Sequence, residues 1–264
     1  MDEFSDLCTG RRFRFHIKRL FAPSDIVRST KLYRDGYADT YSINRAKFAL
    51  LAEPSANPGE APQNTRFFPL LEYLTSNRDA CADRLFRGSP LGPVPKSSHE
   101  TGIAQLNIVE KEHPVTRTVS VTVSVYSDDR ERRKAIHRLL LLCDSSTVAT
   151  EVPILLERAD FNPLAEAGVA VEPELSGASA LFMDAIQIRG GLIHLMLYAP
   201  PPVEREPIEE LTLAAVALSR ATGLPLYDFK CAWFNESHYR EFFPRYLVRL
   251  LAPPPKTDHP DSLT

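Results

Sequence analysis

Residues Ala180–Ala199 read ALFMDAIQIRGGLIHLMLYA, and this stretch decides the fold class. Leu181–Ile188 is a short apolar segment of strand composition, and Leu192–Tyr198 is another. Between them, Arg189-Gly190-Gly191 forms a tight turn, because two glycines permit the positive φ that a hairpin requires. Downstream, Pro200–Pro207 is a loop. Ile208–Thr222 is a helix with Leu211, Ala215, Leu218 and Thr222 on one face, stopped by Gly223. Leu226–Phe234 reads as a strand. Glu236–Leu251 reads as an amphipathic helix with Tyr239, Phe242, Phe243, Tyr246, Leu247 and Leu250 turned inward, ended by Pro253-Pro254-Pro255.

Upstream of the hairpin, Val152–Glu157 is a short apolar strand. Asp128 and Asp129 open a helix that runs through ERRKAIHRLLLLC to about Cys143, with Ile136, Leu139, Leu140 and Cys143 on one face. Val115–Tyr126 (VTRTVSVTVSVY) alternates valine with threonine and serine, which predicts a strand. The first 110 residues are sparser in signal. Arg11–Lys18 alternates Phe13, Phe15 and Ile17 with Arg12, Arg14, His16 and Lys18, a strand pattern with one basic face. Residues 43–52 suggest a short element and 67–75 a short helix. Glu53–Asn64 and Gly88–Glu100 read as loops, in keeping with clustered prolines, 22 in the chain. The organisation is an unassigned part over 1–110, an α/β core over 111–253 and a polar tail over 254–264.

Composition narrows the function classes. The chain has 264 residues, 44% hydrophobic and 25% charged, with a net charge of −3. That field does not attract nucleic acid or anionic lipid. No apolar run reaches the roughly 18 residues of a membrane span. The N-terminus lacks a secretory h-region, and Cys8, Cys81, Cys143 and Cys231 form no CxxC pair, so free thiols in the cytoplasm are expected.

The hairpin, together with LTLAAVALSRATGLPLYDFKCAWFNESHY over 211–239, resembles the thymidylate synthase family and the related pyrimidine-nucleotide hydroxymethylases. The hairpin is similar to the family's strand, turn and strand ending in Leu-Tyr-Gln-Arg-Ser. The 211–239 stretch is similar to its long helix, its Gly-Asp-Phe strand start and its Gly-Asp-x-His-x-Tyr strand end. The resemblance covers about residues 129–251. It implies a thymidylate synthase-like α/β fold with a mixed sheet flanked by helices. It also implies a homodimer through the sheet face, or a heteromer with a catalytic relative.

The family's chemistry is testable by position. A cysteine thiolate attacks C6 of the pyrimidine, since the thiolate is the strong nucleophile among side chains. Counting back without gaps from Tyr198 places Ala178, Ser179, Ala180 and Leu181 on the family's Pro-Pro-Cys-His, so Ala180 occupies the thiol position. The phosphate-binding arginine after Leu-Tyr is replaced by Ala199-Pro200-Pro201. The family's Arg-Arg pair is replaced by Ala149-Thr150-Glu151, and guanidinium forks are what phosphate recognition needs. The base-reading asparagine is missing from Glu206-Pro207-Ile208-Glu209. The His-x-Tyr element becomes Ser237-His238-Tyr239, with the histidine displaced by one. The family's closing C-terminal segment has no counterpart.

The residues left for ligand binding are Tyr198, Tyr239, His238, Asn235 and Asp184. Asn235 and Ser237 fit equally a capped strand-to-helix corner. Cys231 on a buried strand, His194 in the hairpin and His137 among leucines read as structural. No spacing suggests a metal site. Arg130, Arg132, Arg133 and Lys134 read as an exposed helix face. The expectation is a non-catalytic binding or assembly subunit without a cofactor. The alternative is an enzyme with altered chemistry on a pyrimidine nucleoside or related heterocycle. It would use Tyr198, Tyr239, His238 or Asp184 and, on the family's precedent, a reduced folate. A third reading, RNA binding by the basic N-terminal strand, is opposed by the acidic balance of the chain.

Overall fold

The chain folds around an eight-stranded mixed sheet. The structure, a computed structural model, describes residues 2–5, 12–15, 26–32, 38–44, 46–48, 65–80, 107–161, 179–203 and 206–246. Strands β1 (Asp2–Ser5) and β2 (Arg12–Phe15) form a separate antiparallel pair. The sheet is built from β3 (Ile26–Leu32), β4 (Ala38–Asn44), β5 (Val109–Glu110), β6 (Thr147–Leu156), β7 (Ser179–Arg189), β8 (Leu192–Tyr198), β9 (Phe229–Phe234) and β10 (Tyr239–Phe242). Its order is β3-β4-β6-β7-β8-β9-β10-β5. Only β8 and β9 run parallel; every other neighbouring pair is antiparallel. The helices are α1 (Phe68–Ala80), α2 (Pro114–Val125), α3 (Asp129–Cys143) and α4 (Ile208–Thr222).

The hairpin reading holds. Gly190 and Gly191 sit at φ 58° and 72°, a region closed to most side chains, and register runs from Arg189↔Leu192 to Ala185↔Met196. α4 spans the expected residues and stops at Gly223 in the left-handed conformation. It connects parallel strands β8 and β9, as a parallel pair requires a crossover. α4 is buried on most sides, including Leu211, Leu213, Ala214, Ala215 and Leu218. With α1 it covers one sheet face, against Ile193, Leu195, Phe229, Cys231 and Trp233. Helices α2 and α3 cover the other face. There Val115, Val119, Ile136 and Leu140 meet Ala185, Met196, Tyr198, Ala232, Phe234 and Tyr239. Each fully buried Leu or Ile here contributes about 1.5–3 kcal/mol.

Three expectations are corrected. Val115–Tyr126 is not a strand but α2. The same stretch places Val115, Val119, Thr122 and Val125 at helical spacing, and these are its buried residues. His113 caps the start, with Pro114 in the first turn. The hydroxyls of Ser120, Thr122 and Ser124 bond carbonyls three or four residues back, so these side chains of the β-branched run find partners within the helix. Glu236–Leu251 is not one helix either: Tyr239–Phe242 is strand β10, and only residues 244–246 are helical before the described chain ends. Residues 226–228 form a 3-10 turn, so β9 starts at Phe229.

Elsewhere the expected elements are extended. Residues 67–75 lie within Thr65–Phe67, a 3-10 turn, and α1. The strand expected over 152–157 begins at Thr147. Of residues 43–52, 46–48 are helical, and both expected loops lie outside the described residues. Buried Lys47 donates to the carbonyls of Leu141 and Asp144, at 2.7 and 2.6 Å, and so caps the carboxyl end of α3 with a cation. No described helix is long and apolar enough to cross a membrane.

Candidate functional site

Open α/β sheets bind ligands outside the carboxyl ends of parallel strands. Here those ends are Tyr198 on β8 and Phe234 on β9. Asn235 follows β9, and its amide is engaged by the backbone. Its Oδ1 accepts from Ser237 N (2.9 Å) and His238 N (2.8 Å), and its Nδ2 donates to Ala199 O at 3.3 Å. Asn235 therefore shapes the β9–β10 turn and ties it to the exit of β8. The corner is strand-to-strand rather than strand-to-helix.

Asp184 lies directly behind Tyr198 and is 3% exposed. Its Oδ2 accepts from Tyr198 N at 2.7 Å. Its Oδ1 faces His137 Nε2 at 2.7 Å and accepts from Arg133 Nη1 at 2.5 Å. Arg133 and His137 are one turn apart on α3. Arg133 also lays its guanidinium over the Tyr198 ring at 5.4 Å. Glu151 closes the cluster, with Oε1 3.2 Å from His137 Nδ1.

A strained backbone residue lies within this convergence. Glu151 adopts φ 54°, among the described residues the one non-glycine residue with positive φ. Its neighbours pair with β7 as Thr150↔Ala185 and Val152↔Met183, so Glu151 stands opposite Asp184. Both carboxylates reach His137 on α3. Burial opposes charge on His137, but Asp184 and Glu151 outweigh it and raise its pKa to about 9. Burial likewise opposes the Asp184 charge, and the Arg133 and His137 cations hold it below the usual carboxylate range. The cluster is a buried, charged lock.

A second polar cluster sits under the start of α2. Tyr239 is buried, stacks on His113 with ring centres 4.1 Å apart, and donates its hydroxyl to Glu241 at 3.2 Å. Burial, then the Glu241 charge, pushes the Tyr239 hydroxyl pKa up. Glu241 accepts from Lys230 at 2.7 Å and pairs with Lys111. Burial works against its charge, yet the two lysines bring it down to about 2. His113 and His194 are both pushed down to about 4, by burial first and nearby cations second. His238, next to Tyr239, turns outward: its Nδ1 is 2.8 Å from Glu110, which Arg240 also binds at 2.9 Å. Beside it opens a cleft of about 690 Å³ walled by residues 110–114, Thr116, Arg117 and Ser237.

The structure thus brings Tyr198 and Asp184 together and joins Asn235 to them through Ala199. It separates the neighbours Tyr239 and His238, one turned into the core and the other outward. Ala180 lies on β7. Cys231 is buried beneath α4, and its Sγ donates to Leu211 O at 3.3 Å. Burial raises its pKa well above the ordinary thiol value, so it offers no thiolate. Arg133 is corrected: it is not a free surface charge but the partner of Asp184. Sequence reasoning missed Glu151 and Glu241, whose partners lie on other elements. Arg133 and His137 carried one usable signal, their i, i+4 spacing beside the apolar face of α3. Among the described residues no group of three His, Cys, Asp or Glu is placed to hold a metal ion. Comparison with protein-family models, with curated proteins and with solved structures gives no match for this chain.

Proposed function

We propose that this chain is a divergent thymidylate synthase-like protein that serves as a binding or assembly subunit and does not carry out one-carbon transfer. The β8–α4–β9 unit, preceded by the Gly190-Gly191 hairpin, supports the fold reading. The β10 strand, in place of an expected helix, is where the chain departs from the pattern. One observation carries the non-catalytic reading. Asp184, the buried acid behind Tyr198 at the carboxyl end of β8, has both oxygens occupied by protein donors. Asn235 is committed to a turn. With Ala180 on the family's thiol position and Cys231 protonated in the core, neither supplies a thiolate nucleophile.

The reading is tested by incubating the purified protein with deoxyuridylate and methylenetetrahydrofolate and following dihydrofolate formation. The expected result is no turnover above the buffer rate, and turnover refutes the proposal. A thermal-shift series with pyrimidine nucleotides, free nucleosides and reduced folates then separates the readings. Stabilisation by a nucleoside or folate, and not by phosphorylated forms, replaces this proposal with an enzyme acting on a pyrimidine nucleoside. Sedimentation of the same sample tests the homodimer that the resemblance implies.

A further inference from the structure

Residues 109–116 join the edge of the sheet to α2, and one bond of this corner depends on the protonation state of a side chain. Strand β5 is two residues long and pairs Val109 and Glu110 with Glu241 and Arg240 of β10. Lys111 N adds a bond to Tyr239 O at 3.0 Å. His113, 7% exposed, then starts α2 with both its backbone and its ring. Its carbonyl accepts from the Thr116 amide and hydroxyl, and its Nδ1 accepts from Val115 N at 3.2 Å. The ring lies on that of Tyr239, 13° from parallel. An imidazole nitrogen accepts only while it carries no proton, so Nδ1 caps Val115 in the neutral ring, with the proton on Nε2. The imidazolium carries a proton on both nitrogens. It would set Nδ1–H against the Val115 N–H, donor against donor, so the cap and the second proton exclude each other.

The surroundings do not compensate a cation there. The groups facing the ring are Tyr239 and Glu241 on β10, His194 on β8, Arg189 at the end of β7 and Asp144 after α3. Glu241 is already paired with Lys111 and with Lys230 of β9. Asp144 already accepts from Ser146, Thr147 and Gln187. Arg189 opposes the charge, and His194, itself down to about 4, is neutral near pH 7. Burial first and Arg189 second bring His113 from 6.5 to about 4. The rest of α2 is anchored independently, through buried Val119, Thr122 and Val125.

We propose that His113 is an acid-operated latch: protonation of its ring frees residues 109–116 from β10 and uncovers the β10 edge and the Tyr239 ring, while the sheet and the rest of α2 stay folded. The sign follows from proton counting. Between pH 6.5 and about 4 the open corner binds one proton more than the closed one, so opening is favoured as pH falls. Glu241, brought down to about 2, stays charged through this window. Glu110 is held below the usual carboxylate range by its bonds to His238 and Arg240 and keeps its charge as well.

The test is hydrogen exchange of the full chain, read amide by amide by NMR at pH 7 and pH 5. The protection factors of Val115 and Lys111 fall roughly twentyfold between the two, the ratio for one proton bound near 6.5 when open and near 4 when closed. At both pH values they stay below those of Ile193 and Leu195 in β8, which marks the opening as local. His113→Asn keeps an acceptor at the cap but does not titrate. It removes the pH dependence at Val115 and Lys111, whatever it does to their protection at pH 7. Three results overturn the proposal: wild-type protection at Val115 that does not change with pH, protection there equal to that of β8 at both pH values, or the same twentyfold fall in His113→Asn.

Discussion

Asp184→Asn removes the central charge of the buried cluster while keeping its shape. In the wild type, His137 is held protonated, its pKa raised from 6.5 to about 9 by Asp184 and Glu151. At roughly 1.4 kcal/mol for each tenfold change in proton affinity, that is about 3 kcal/mol of stability. The sign follows from proton counting. Between pH 6.5 and 9 the folded state binds the His137 proton and the unfolded state does not, so stability falls as pH rises. The contribution is full below pH 6.5 and gone above about 9. The substitution withdraws most of it and leaves Arg133 without its buried partner. Removing one member of such a pair costs about 3–5 kcal/mol, and the lower end applies because Arg133 remains 42% exposed and is rehydrated. Urea unfolding followed by Trp233, the single tryptophan and 3% exposed, reports the loss. At about pH 6 the variant is about 3 kcal/mol less stable, or about 6–12 °C lower in Tm. The gap narrows as pH rises through about 9. Lys47, lowered from 10.5 to about 8 by burial, acts in the opposite direction above about pH 8, but it is common to both proteins and cancels in the difference. A variant within about 0.5 kcal/mol of wild type, with the same pH slope, refutes the assignment of His137 as a buried cation.

At Glu151, alanine and glycine both remove the carboxylate, but only glycine relieves the positive φ, so Glu151→Gly is about 1 kcal/mol more stable than Glu151→Ala by urea titration. Equal stability of the two places no strain at that residue. Cys231 resists alkylation in the native state and reacts only at the rate of unfolding, whereas half-buried Cys143 reacts directly; peptide mapping after timed labelling distinguishes them. Val119→Ala costs about 2 kcal/mol, since the side chain is fully buried. Val121→Ala, on the half-buried flank of α2, is close to neutral because alanine's helix propensity offsets the lost contact. A strand would put both valines on one face and make the two losses equal, which thermal unfolding of the pair decides.

The local sequence determined the β7–β8 hairpin, α3 and α4, because in each only one periodicity fits. Two glycines at 190 and 191 allow one turn. Asp128 caps one helix, and Gly223 ends another. Residues 115–125 satisfy both a two-residue and a 3.6-residue repeat, so their own pattern is undecided. Packing of Val115, Val119 and Thr122 against the sheet, with the His113–Pro114 start, selects the helix. The 236–251 region is the converse case. Its aromatic residues fit a helix, but Asn235 closes a turn that delivers Tyr239–Phe242 to the edge of β9, where their backbone groups find partners. The mixed α/β class and the buried state of Cys231 were likewise legible from apolar runs and turn signals. The polar clusters were not. Arg133 and Asp184 are 51 positions apart, and Lys111 and Lys230 reach Glu241 from two other elements. A run such as Arg130–Lys134 looks like a solvated face until the fold sets a carboxylate beneath one of its members. Which charges are buried, and which oxygens remain for a ligand, depends on pairings between strands and helices that no local pattern encodes.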